Sequence, residues 1–277
     1  MPRLFTLLSC VVLCLGWVRL TQAASDSTEP TLQKVWEYAA TSQPIAARNI
    51  LDDLEGIDPR TKALADLVLD LARAPISEGD WAKIEPALGK LAQGEDEIAV
   101  RALYLQARMH QVHLLKPNYA RAEGLYLELN ERWPGSHWAQ LGLVKLGLVK
   151  LFALTEPLDV GQRFAEVDAL LSQIEEPTLR RDLQLQMGWA GLFHQRALDD
   201  VLPYLIEADK VGGMLGITPE DLLIQIGELS FRAGHLAQAK SYFERFLREV
   251  SSNTKRFNVR QQLAAVNEAI AKRESAE

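Results

Sequence analysis

Apolar side chains recur at three- and four-residue spacing along almost the whole chain, and stop signals cut the pattern into short lengths. That spacing is the period of an amphipathic α-helix, and the alternation a half-buried strand would need is nearly absent. Leu64, Leu67, Val68 and Leu71 make one apolar stripe, and Phe164, Val167, Leu170, Leu171 and Ile174 make another. The stop signals are Ile57-Asp58-Pro59, Ser77-Glu78-Gly79-Asp80, Trp133-Pro134-Gly135-Ser136, Glu156-Pro157, Glu176-Pro177 and Ile217-Thr218-Pro219. Proline fits the first helical turn, and Asp, Ser or Thr caps it, so each cluster ends one helix and starts the next.

The pattern predicts an all-α chain of about 13 helices, arranged as six antiparallel pairs with one extra helix at the C-terminus. The pairs begin near residues 31, 59, 95, 137, 178 and 219, giving successive intervals of 28, 36, 42, 41 and 41. A settled period of this size implies stacked helix-turn-helix units, because one pair cannot bury its own apolar face. The expected architecture is therefore an α-solenoid. Its array runs over 31–253, followed by a capping helix at 254–273 and a disordered tail at 274–277.

The N-terminus reads as a secretory signal peptide. Arg3 precedes an apolar run from Leu4 to Val18, and Thr21-Gln22-Ala23 supplies a small-residue exit. The run is 15 residues long, short for a bilayer span, so cleavage after Ala23 is expected, with residues 24–30 as a disordered linker. Two other fates stay open. Leu7-Leu8-Ser9-Cys10 resembles a lipidation site, and Arg19 could flank a retained anchor; only in these cases would the chain meet a membrane.

Both cysteines, Cys10 and Cys14, fall inside this leader, so the mature chain has no disulfide and no thiolate metal ligand. No Asn-x-Ser/Thr acceptor site occurs either, which fits a bacterial envelope better than a eukaryotic secretory route. Losing residues 1–23 removes Arg3 and Arg19 and no acid, so the 30 basic residues become 28 against 37 acidic ones, and the formal charge becomes −9. Such a balance argues against nucleic acid as a partner, since phosphate binding needs a concentrated basic surface.

From Asp221 to Ser252 the chain resembles a tetratricopeptide repeat. Leu223, Ile226 and Gly227 lie on the first helix, Gly234 in the turn, and Leu236, Ala239, Phe243, Phe246 and Leu247 on the second. Small residues such as Gly227 and Ala239 let two helices cross closely while Phe243 fills the neighbouring groove. Residues 103–134 are similar to the same unit with a longer turn, through Leu103, Gln106, Ala107, Tyr119, Ala122, Tyr126, Leu129 and Pro134. Tyr119 through Ser136 also resembles repeat-bearing envelope proteins of Gram-negative bacteria. The remaining pairs match poorly, and residues 137–175 carry a duplication, LGLVK-LGLVK, that lengthens their first helix.

Few residues stand in patterns that carry chemistry. His110 and His113 share a helix face and His137 follows the next turn, but no acid stands at the spacing a zinc protease uses, so all three read as surface or loop residues. His194 and His235 sit near helix ends without a nucleophile. Val211-Gly212-Gly213-Met214-Leu215-Gly216 lies between helices and reads as a flexible loop. Paired carboxylates such as Asp52-Asp53, Glu175-Glu176 and Asp199-Asp200 read as solvated or capping groups. The expectation is a protein that is not an enzyme and needs no cofactor or metal.

What the resemblance implies is binding. In tetratricopeptide proteins the first helix of each pair lines a concave groove that holds an extended peptide or a helix. The groove-facing positions would be Arg101, Tyr104, Arg108, Gln111 and Val112 on one matched pair, and Asp221, Ile224, Glu228, Phe231 and Arg232 on the other. Tyr, Phe and Arg are residue types that anchor interfaces. Ile224 and Phe231 could equally pack on the neighbouring pair. The leading expectation is a periplasmic or otherwise exported adaptor for protein partners in the cell envelope. The alternative is a structural or oligomerisation module whose last helix, through Phe257, Val259, Leu263, Val266 and Ile270, docks on a second copy.

Overall fold

A computed structural model describes residues 31–276 apart from Ser42, residues 73–76, 155–157, Ile217 and 252–253. The expected leader and linker, residues 1–30, lie outside the described residues. Among the described residues the chain is all-helical, with 13 α-helices, one π turn and no strand. None of these helices is long and apolar enough to cross a membrane. The chain divides into two compact units at Val149 and Lys150.

The first unit holds α1 (Leu32–Ala40), α2 (Pro44–Asp53), α3 (Pro59–Leu71), α4 (Glu78–Leu91), α5 (Glu97–Arg108), the π turn Met109–His113, α6 (Tyr119–Arg132) and most of α7 (His137–Phe152). The second holds the end of α7, then α8 (Val160–Leu171), α9 (Pro177–Phe193), α10 (Leu198–Val211), α11 (Thr218–Arg232), α12 (Leu236–Glu249) and α13 (Arg256–Glu274). The first helices of the six pairs start at 32, 59, 97, 137, 177 and 218. Consecutive helices pack on each other, most closely α9 with α10 and α11 with α12.

The starts follow from local chemistry. Each helix begins with backbone N–H groups that no carbonyl reaches, and a polar side chain just before the start accepts one of them. Asp58 accepts from Thr61 N at 2.9 Å, Asp96 from Ala99 N at 3.0 Å, and Asn118 from Arg121 N at 3.0 Å. Asp159 and Gln162 cap each other reciprocally at 2.8 and 3.0 Å. Pro44, Pro59 and Pro177 occupy first-turn positions, where the missing N–H costs nothing. Pro86 and Pro203, by contrast, lie within α4 and α10, and these helices run through them.

Glycine makes the crossings close. A Cβ on Gly188 of α9 would stand 2.3 Å from Leu205 Cδ2 of α10, and one on Gly191 would stand 2.6 Å from Val201 Cγ2. Gly227 of α11 faces Phe243 of α12 in the same way, at 2.6 Å, with Ala239 fully buried beside it. In the first unit a Cβ on Gly142 of α7 would meet Tyr126 and Leu129 of α6, each at 3.1 Å. Leu223, Phe243 and Phe246 form one cluster with Val259 and Val266 of α13, while Ile224, Phe231, Leu263 and Ile270 pack at its edge.

Candidate functional site

The α5 helix is enclosed on every side: all ten residues from Ala99 to Arg108 are buried. Three of the ten, Arg101, Gln106 and Arg108, are polar, so burial here is not the ordinary fate of an apolar stripe. Arg101, Tyr104, Arg108 and Gln111 follow one another at helical spacing and make a single row.

At the top of the row the Arg101 guanidinium lies between two indoles, 3.9 Å from the ring centroid of Trp36 on α1 and 4.9 Å from that of Trp138 on α7. It is 8% exposed. Among the described residues its Nε and Nη2 atoms have no hydrogen-bond partner. Burial lowers its pKa to about 10, an effect that Glu97, one turn earlier, only partly opposes through space. Tyr104, 2% exposed, stacks at a tilt on Trp138, with ring centroids 5.1 Å apart, and burial raises its phenol pKa.

Below it, Arg108 Nη1 donates to Gln111 Oε1 at 2.7 Å, and the same oxygen accepts from the Tyr126 hydroxyl of α6 at 2.6 Å. Gln111 belongs to the π turn, which continues α5 with a wider ring of hydrogen bonds. The turn also carries His110 and His113. The structure corrects the expectation that these two lie at the surface or in a loop. His110 is buried, with Nε2 2.9 Å from Glu85 Oε1 and Nδ1 without a partner among the described residues. Burial, helped by repulsion from Arg108 and opposed by the Leu71 carbonyl, depresses the His113 pKa to about 4. Among the described residues no group of three or more His, Cys, Asp or Glu side chains is placed to hold a metal ion.

The row thus contains two guanidiniums, and among the described residues no carboxylate is bonded to either. A desolvated cation without a counter-charge works against folding. The shift at Arg101 corresponds to about 3 kcal/mol, of which stacking on two indoles returns roughly 2. Arg101→Met, which keeps the stem and removes the charge, is expected to stabilise the chain by about 1 kcal/mol and raise its Tm by roughly 2–4 °C. A lowered Tm in calorimetry would mean that the indole contacts outweigh the burial.

The last pair looks different. The Lys255 ammonium at the start of α13 pairs with Asp221, and Gln262 Nε2 donates to Glu228 Oε1 at 2.6 Å. Ile224 and Phe231 are partly buried against the cluster that α12 and α13 share. Arg232 is exposed in the last turn of α11. The structure therefore brings Arg101, Tyr104, Arg108 and Gln111 together in a closed row, and it sets Asp221, Glu228 and Phe231 against the chain's own C-terminal helix. Trp36 and Trp138 complete the row, and the sequence carried no signal for either, since each comes from a different helix pair.

No family model, no curated protein and no solved structure matches the chain.

Proposed function

We propose that this chain is an exported α-solenoid of tetratricopeptide-like pairs that binds a segment of a protein partner in the cell envelope along the row Arg101, Tyr104 and Arg108. The observation that carries the reading is Arg101, a buried cation with two unmet donors held between two indoles. Residues that weaken a fold without compensation concentrate where function requires them. Arginine between aromatic rings is also a recurrent anchor of protein interfaces.

The array part of the proposal draws on pair starts spaced 40, 40 and 41 residues apart from residue 97 onward, and on the small residues at the crossings. Export draws on the leader sequence alone. The competing role, docking of the last helix on a second copy, finds less support. The outward side of α13 presents Arg260, Gln261, Ala264, Ala265, Glu268 and Lys272, a polar surface suited to ending a stack, although Phe257 is 65% exposed near its start.

Crosslinking capture from the native envelope with the wild-type chain, Arg101→Met and Tyr104→Ala/Arg108→Ala tests the assignment. We expect a defined partner to be retained by the wild type and lost from both variants, with Arg101→Met at least as stable as the parent. Indistinguishable partner lists would reject the row as the binding surface.

A further inference from the structure

One wall of the α5 row is built from an element with little holding it down. Trp36, the indole nearest Arg101, belongs to α1, which is 9 residues long and pairs with the 10-residue α2. Helices this short are marginal in water without tertiary support. Their buried side chains are few: Val35 and Trp36 on α1, Ala47 and Leu51 on α2. Among the described residues they are also tied to α3 by partly exposed charge, Arg48 with Asp66 and Asp70, and Lys62 with Asp52 at 3.8 Å. Such pairs contribute little against water. Segments with few buried contacts open locally, well below the cost of unfolding the whole chain.

Beneath Trp36 of this hairpin lies Arg101, the first residue of the row, whose Nε and Nη2 have no hydrogen-bond partner among the described residues. Donors of this kind call for acceptor oxygens, and two cations without a bonded carboxylate favour oxygens that carry charge. We propose that the α1–α2 hairpin is a cover lying in cis over a cationic and aromatic seat, and that the seat takes an acidic segment of a partner protein when the hairpin lifts. This rests on the reading of the α5 row as the partner surface, and it adds the chemistry of the partner and the route of entry.

The test uses the full chain and phenylglyoxal, a reagent for accessible arginine, with modification followed residue by residue by mass spectrometry. Arg163 serves as the internal reference, because it is buried in the other unit, where Nη1 donates to the Leu151 carbonyl at 2.9 Å. We expect Arg101 to react at least about tenfold faster than Arg163. Trp36→Ala should speed Arg101 by a further threefold or more and leave Arg163 unchanged, even if that substitution melts the hairpin. A blocked hexaglutamate peptide should slow Arg101, and hexaglutamine should not.

Equal rates at Arg101 and Arg163, moving together in the variant, would mean that the row opens only by global unfolding and would overturn the cover. Hexaglutamate without effect, while the Trp36→Ala acceleration stands, would overturn the acidic seat. Neither readout needs the natural partner. Partner lists that do not differ between the wild type and the row variants, with both results intact, would therefore count against the function proposed above and not against the cover.

Discussion

Gly188→Ala/Gly191→Ala should lower the stability of the second unit by on the order of 3 kcal/mol, a fall of roughly 6–12 °C in Tm. The sign is not what helix propensity predicts. Alanine gains about 1 kcal/mol over glycine in a helix interior, so two such changes would stabilise a free helix. Here each new methyl meets a side chain with nowhere to go. Leu205 and Val201 are essentially unexposed, and the added carbons would stand 2.3 Å and 2.6 Å from them, closer than carbon atoms approach. Relief requires α9 and α10 to separate along their contact, which also loosens Leu202 and Ala208 in the same cluster. Gly124→Ala in α6 is the matched control, because a Cβ there has nothing within 4 Å; it should stabilise by up to about 1 kcal/mol. A double variant melting at or above the parent temperature would show that α9 and α10 do not cross at these glycines.

Acidification should cost the chain about 3 kcal/mol between pH 6.5 and pH 4 through His113 alone. Its folded pKa, about 4, lies below the 6.5 of an unperturbed imidazole, so the unfolded chain takes up the proton first. The stabilisation is complete above pH 6.5 and is lost as pH falls towards the folded value. Carboxylates act in a lower window. Asp58 and Asp96, whose pKa values are lowered chiefly by the backbone N–H groups they cap, lose their contribution only as pH drops through and below 3.8. Denaturant unfolding of the wild type and of His113→Leu at pH 7 and pH 4.5 separates the two, since the variant keeps every other titrating group. The variant should lose distinctly less stability between these pH values. Equal losses would place the titrating group elsewhere.

The helix pairs were legible because their signals are local. An Asp, Ser or Asn followed by a helical stripe needs no knowledge of the rest of the chain, and the expected starts fall within about two residues of 32, 59, 97, 137, 177 and 218. The enclosure of α5 was not legible. Spacing puts Arg101, Tyr104 and Arg108 on one side of a helix, yet whether that side meets water depends on Trp36 and Trp138, which arrive from distant pairs. The π turn at Met109–His113 left no mark in a pattern read for a 3.6-residue period, and it carries His110 and Gln111 inward.

The duplication in α7 shows the same limit from another direction. A five-residue repeat is out of step with the helix, so its second copy sits about 140° round the axis from the first. Leu141, Leu143 and Val144 of one copy and Leu146 and Val149 of the other are all buried, so this helix presents no broad solvent face. The repetition was visible in the letters; its meaning, a helix whose apolar residues do not keep to one stripe, depends on the neighbours that bury them.

The closure of α5 also fixes how quickly anything could be recognised there. With Arg101 and Arg108 only 8% and 9% exposed, the capture proposed above requires the row to open first. Association governed by such a step stops rising with ligand concentration once opening becomes the slower event. On the role proposed above, the chain trades speed of capture for a surface that stays shut when no ligand is present.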